Sequence, residues 1–157
     1  MEVLLSRKSN MKFISSIHNT LKRFESLGFM PLFLTRAYLF YVLWFAGIGK
    51  LDSFDKFSGY LGTLGVPLPD IFTWLVIIIE SGGAALLLIG LFVRWASIPL
   101  LVVMFFAGYL VHYQNGWPHE ANGIEFASIY SLMLLTLLCF GGGKYLSLDY
   151  WVSSSKQ

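Results

Sequence analysis

Few residues of this 157-residue chain could do chemistry, and the most telling of them interrupt apolar runs. Glu80 stands inside the stretch 70–92 and Arg36 inside 31–50, while His112, His119, Glu120 and Glu125 gather between the stretches 95–113 and 124–140. A charged group in hydrocarbon is costly, so it turns inward, finds a partner or serves a function. If Asp70 and Lys50 mark the same end of their helices, Glu80 lies ten residues in, about 15 Å, and Arg36 fourteen residues in, about 21 Å. The two then differ in depth by only about 6 Å, whereas Lys50 would have to reach about 15 Å. That register predicts an Arg36–Glu80 pair. With Gly83 one turn beyond Glu80 and Phe40 and Phe105 as apolar walls, the pair makes a candidate central site for an amphipathic ring, the candidate cofactor-binding role of those two aromatics. A pair that merely fixes helix register, or that packs between chains, is the plainer reading of the same residues.

The second constellation is an outer polar site of Lys50, His112, His119, Glu120 and Glu125. His112 closes one apolar stretch and Glu125 opens the next, so antiparallel neighbours would bring them together. Histidine with carboxylate suits a proton relay or a weak metal site, or an imidazole simply satisfied at an interface. The spacing matches no zinc signature, and no metal is expected. Cys139 is the single cysteine, which excludes an intrachain disulfide, a CxxC pair and a cysteine-held metal cluster. The histidines are too few and too much at one end for bis-histidine haem. There is no nucleotide-binding loop, so electrons would have to come from a partner or a bound cofactor.

These residues need elements to position them, and composition says which. The chain is 56% hydrophobic and 13% charged, with eleven basic and nine acidic residues, too few to wet a soluble domain of this size. Stretches 31–50, 70–92, 95–113 and 124–140 approach the roughly 20 residues that cross a hydrocarbon core of about 30 Å. The fold class is therefore an all-α integral-membrane four-helix bundle. Charge and glycine recur together at helical spacing: Arg36, Phe40, Leu43, Gly47 and Lys50; Glu80, Gly83, Leu87 and Gly90; Arg94, Ile98, Leu101, Phe105, Gly108 and His112. These three stripes are expected to face the bundle interior.

Arg7, Lys8, Lys12, Lys22, Arg23, Arg36, Arg94, Lys144 and Lys156 fall on one side of such a bundle, and only Lys50 and Lys56 on the other. The positive-inside rule then makes both termini cytoplasmic, in a multi-pass cell-membrane protein. Residues 1–30 read as a cytoplasmic segment with an amphipathic interfacial helix, Phe13, Ile14, Ile17, Leu21 and Phe24 on one face and His18 among the polar positions. Residues 31–149 form the membrane domain and 150–157 a cytoplasmic tail. Net charge of +2, with no basic tract, gives no footprint for nucleic acid.

RAYLFYVLWFAGIGKLDSF from Arg36 to Phe54, Gly65 and Pro67, ESGGAALLLIG from Glu80 to Gly90, Arg94, His112 and the closing GGGKYLSLD together resemble the DoxX family of small membrane proteins. Where the family often has proline after the first glycine of the last stretch, this chain has Gly142. The resemblance covers about residues 31–149 and implies four spans, with Arg36, Gly47, Lys50, Glu80, Gly83, Arg94 and His112 as its framework. It also implies kinship with the membrane subunit of a thiosulfate:quinone oxidoreductase. On that basis the expected role is a quinone- or lipid-associated subunit of a membrane oxidoreductase system, its contacts membrane lipid and a redox-protein partner or a second copy. Two alternatives stand beside it: a structural or anchoring subunit with no ligand of its own, and a small-solute transporter using Glu80 as its protonatable residue. Whether the chain is itself an enzyme is left open.

Overall fold

The computed structural model describes residues 28–144 and 146–155. The expected interfacial helix, with His18, falls outside them. Six α-helices follow: α1 Phe29–Asp52, α2 Phe54–Thr63, α3 Pro69–Ile89, α4 Val93–Phe106, α5 Glu125–Phe140 and α6 Leu148–Ser154. α4 runs on through a π-helical turn, Ala107–His112, and a 3-10 turn, Tyr113–Asn115, as one stretch of 23 residues. Among the described residues every regular element is helical.

Local sequence explains the boundaries. Pro69 opens α3 at a position where its missing N–H is no loss. Gly90 closes α3 in the left-handed region at φ 69°, which lets the chain reverse within three residues into α4. Pro99 lies inside α4, where it removes one backbone hydrogen bond.

Three stretches are long and apolar enough to cross a membrane: Phe29–Asp52, Pro69–Ile89 and Val93–Asn115, with mean hydropathies of 1.5, 2.1 and 1.7. At the helical rise, even the shortest of them extends about 32 Å, against a hydrocarbon core of about 30 Å. α5 is also apolar but has 16 residues. The outward surface is apolar too, carrying Tyr41, Phe45, Ile78, Trp95, Phe105 and Leu132 in the open, which lipid tolerates and water does not.

Inside, α1 packs on α3, α3 on α4 and α4 on α5, around Leu39, Leu43, Leu87, Leu100, Leu134 and Leu137. α2 lies against α3. The stripes expected on α1 and α3 are largely those observed: Arg36, Leu43 and Gly47, with Leu39 as well, and Glu80, Gly83 and Leu87 are buried. α4 differs. It buries Val93, Ala96, Ser97, Leu100, Val103 and Met104 and leaves Arg94, Ile98 and Phe105 exposed, so the expected stripe through Arg94 and Phe105 is corrected by a rotation. The cause is the fit at Gly83, where an added Cβ would come within 2.9 Å of Leu100 Cδ1. Turning Leu100 into that notch sends Phe105 to the outside, which costs little in hydrocarbon.

This contact makes a direct prediction. Gly83→Leu forces overpacking at the α3–α4 crossing and should lower stability by about 1–3 kcal/mol. Gly82→Leu meets open space and should leave it nearly unchanged. Thermal unfolding of both variants in one detergent checks the difference.

Candidate functional site

Gly47 of α1 lies level with Glu80 and Ser81 of α3: a Cβ there would collide with Ser81 Oγ and come within 3.4 Å of Glu80 Cβ. Lys50 is three residues along from Gly47, about 4.5 Å at the helical rise, within reach of its own side chain. Lys50 Nζ indeed donates to Glu80 Oε2 at 2.6 Å, with the carboxylate side chain 3% exposed and the lysine 22%. Nζ also makes a long hydrogen bond of 3.4 Å to the Ala46 carbonyl. It lies 5.5 Å from the centroid of the Phe57 ring, supplied by α2.

This corrects the expected Arg36–Glu80 pair. Arg36 lies eleven residues from Gly47 in the other direction, so its backbone is about 16 Å from the Glu80 level. That pairing requires Asp70 and Lys50 to be level ends of their helices. In fact α3 begins beyond the Lys50 level, and α2 packs beside it.

Arg36 belongs to a second cluster at the opposite end. Its side chain is fully buried and donates from Nη1 to the Leu87 carbonyl at 3.3 Å and from Nη2 to the Leu146 carbonyl at 2.6 Å. Ser147 Oγ and the Asp149 backbone N–H both donate to the Gly90 carbonyl, at 2.8 and 2.9 Å. The Asp149 carboxylate accepts the N–H groups of Phe92 and Val93 at 2.8 and 3.0 Å, holding the first turn of α4. Residues 146–149 thus clamp the α3–α4 turn. The sequence contained this stretch without revealing that its role was to answer backbone groups. Gly90 and the triple glycine at 141–143 were the only available signals.

Beside the Lys50–Glu80 pair, Ser81 Oγ is buried with no hydrogen-bond partner among the described residues, and Thr73 Oγ1, two turns earlier on α3, is another such hydroxyl. Serine and threonine at these spacings carry no signal in sequence, and Phe57 was visible only as an apolar position of α2. Gly83 is on the face of Glu80 but serves the α4 crossing. Phe40 lies tilted against Trp44 with ring centroids 5.6 Å apart, and Phe105 stands 66% exposed beside Phe106 and Tyr109.

The outer constellation divides. His112 Nδ1 hydrogen-bonds the Asn122 carbonyl at 2.8 Å. Glu125 Oε2 accepts from the His119 backbone N–H at 3.0 Å and lies 3.0 Å from His119 Nδ1, with Glu120 Oε2 3.5 Å from the same nitrogen. The hydrogen bond to Glu125 is the main cause that raises the His119 pKa above its ordinary value of 6.5. His119, Glu120 and Glu125 could hold a metal ion by distance, but two of the three are exposed, as such surface groups often are. Lys50 belongs to the Glu80 site instead.

Helices of this length and apolarity, with a buried ion-paired carboxylate among them, define an integral membrane protein. Residues 31–113 match the family model described as DoxX, and the chain belongs to the DoxX family. It is 32% identical over 129 residues to an uncharacterized protein of Haemophilus influenzae, covering 80% of this chain and 91% of that one. It is likewise 32% identical over 90 residues to the inner membrane protein YphA of Escherichia coli, covering 56% and 61%. No solved structure matches significantly.

Removing one partner of a buried ion pair strands the other, at about 3–5 kcal/mol. Lys50→Met and Glu80→Gln should therefore each destabilise the protein, and the double variant should lose much less than the sum. Arg36→Gln combined with Glu80→Gln should be additive. Unfolding in detergent of the single and double variants reads both cycles.

Proposed function

We propose that this protein is an inner-membrane, four-span helical bundle with both termini cytoplasmic, which binds a quinone-type ring beside the Lys50–Glu80 pair as a subunit of a membrane oxidoreductase system. The observation that carries the reading is a carboxylate 3% exposed, joined at 2.6 Å to a lysine that still reaches the surface, with the Ser81 hydroxyl on the adjoining residue unpartnered among the described residues. An ion pair alone would fix the register of α1 against α3, but the unanswered hydroxyl is a donor in search of an acceptor. Lys50 has three N–H groups and spends one on Glu80 and another weakly on Ala46. The donor set fits the carbonyl oxygens of a quinone, with Phe57 as an aromatic neighbour.

Lys50 would hold a ring oxygen and Glu80 would take up or release the accompanying proton; the quinone, when bound, supplies the electron-accepting chemistry. Electrons would arrive from a redox partner. α5, though 16 residues long, completes the fourth crossing in this reading. The basic residues 36, 94 and 144 favour the cytoplasmic side for the end that carries them. The inner-membrane relative from Escherichia coli supports the location.

Two experiments test the two parts. In a Cys139→Ser background, single cysteines at Lys56 and Asn122 should react with an impermeant reagent in intact cells, and one at Ser154 only after lysis. Labelling of Ser154 from outside would overturn the orientation. Native mass spectrometry of gently extracted protein should show retained quinone, and Glu80→Gln should reduce its occupancy about tenfold or more while the fold survives, as loss of a charged hydrogen-bonding group implies. Unchanged occupancy in folded Glu80→Gln would remove the site. No quinone but defined solute flux in liposomes would replace the reading with transport; a soluble partner with neither ligand nor flux would replace it with a structural subunit.

A further inference from the structure

The Arg36 end of the bundle holds a second feature that the quinone reading does not use. A cavity of about 880 Å³ opens there between the start of α1, the start of α4 and the loop 141–144. Arg94 and Lys144 line it, and among the described residues neither side chain makes an ion pair or a hydrogen bond. Asp149 lines it as well, but both its oxygens are committed to the N–H groups of Phe92 and Val93. Two cations thus face the cavity against one carboxylate already engaged with backbone.

The loop keeps this space open for a reason legible in its residues. Gly141 and Gly143 take φ of 76° and 81°, a conformation that side chains rarely adopt. A Cβ on Gly141 would stand 3.3 Å from Arg94 Nε, so the arginine lies against bare backbone. The guanidinium is held at the wall of the cavity, with its planar fork available for two oxygens of one ligand.

The rim is apolar and outward-facing: Phe92 is 58% exposed, Trp95 74% and Phe140 71%. Tryptophan gathers at the level of membrane headgroups, and Phe92 and Phe140 extend the apolar surface beside it. A free phosphate ion would use the cations and have no use for the rim. A molecule with an anionic head and hydrocarbon tails would use both.

We propose that this cavity binds the phosphate headgroup of an anionic phospholipid, with Arg94 and Lys144 on the phosphate and Phe92, Trp95 and Phe140 along its tails. The volume suits a headgroup with its glycerol, being within the range of ordinary ligand pockets. The site is independent of the Lys50–Glu80 pair, so failure at one leaves the other standing.

The test uses the full chain in mixed detergent micelles, titrated with phosphatidylglycerol or with phosphatidylcholine, and read by native mass spectrometry and thermal unfolding. Phosphatidylglycerol should remain bound and raise the unfolding temperature, and phosphatidylcholine should do so far less. Lys144→Gln, whose side chain is exposed and bonded to nothing described, should weaken retention severalfold. Adding Arg94→Gln should bring the loss to tenfold or more, whereas Lys56→Gln in α2 should leave it unchanged. Equal retention of the two lipids, or full retention by a folded Lys144→Gln and Arg94→Gln double variant, would overturn the proposal. Displacement of the lipid by excess inorganic phosphate would overturn it too, in favour of a soluble phosphate ligand.

Discussion

The contact of Gly47 with Ser81 sets how far α1 slides along α3, and both charged clusters follow from it. At that register Lys50 meets Glu80 within one helical turn, and Arg36 falls beside the last turn of α3. Slide α1 by a single turn, about 5.4 Å, and both arrangements fail together. Glu80 would lose its counter-charge, and Arg36 would lose the Leu87 carbonyl, in surroundings where water replaces neither. Two ionic requirements roughly 16 Å apart along one helix pair therefore specify the register far more sharply than the apolar contacts between them, which any turn-by-turn shift could partly restore.

Each cluster satisfies its charge differently. Lys50 and Glu80 neutralise one another, leaving little net field where the low dielectric would make one expensive. Among the described residues no carboxylate is bonded to Arg36. Backbone carbonyls take its protons, and those carbonyls, Leu87 in the last turns of α3 and Leu146 in the C-terminal loop, are groups the helix ends and loop leave unanswered. The arginine is thus the partner the turn requires, and the turn is the solvent the arginine requires. Ser147 and Asp149 complete the exchange from the other side by serving the Gly90 carbonyl and the first N–H groups of α4.

Much of this was open to reading in the sequence, and the failures have definite causes. Composition and run length alone lead to helices in lipid, and three-and-four spacing finds the inward faces of α1 and α3, because there charge and glycine coincide on the buried stripe. On α4 the same criterion picks the wrong face. Arg94 sits at the helix end, where a long side chain can reach polar surroundings, so its charge says nothing about the interior. The Arg36–Glu80 pairing failed for a different reason: depth was counted from helix ends, and helix ends need not be level when a segment such as α2 fills the step. Histidine and carboxylate near one interface did converge, but only partly. His119 reaches Glu125 while His112 turns to a backbone carbonyl, a choice governed by the fold of loop 116–124 and invisible in residue types.

The polar and glycine residues of the chain also divide along these lines. Gly47, Lys50 and Glu80 form one unit and Arg36, Gly90 and the closing glycine-rich stretch another, at opposite ends of the α1–α3 pair. A purely architectural pattern would be accounted for by the second unit, in which Arg36 Nε alone among the described buried side-chain atoms lacks a partner. The first is not closed in that way. It buries a carboxylate and leaves the adjacent Ser81 hydroxyl, seated where Gly47 carries no Cβ, without a partner among the described residues. A buried polar atom left unanswered at a helix crossing is a cost in stability, and costs of that kind concentrate at functional sites.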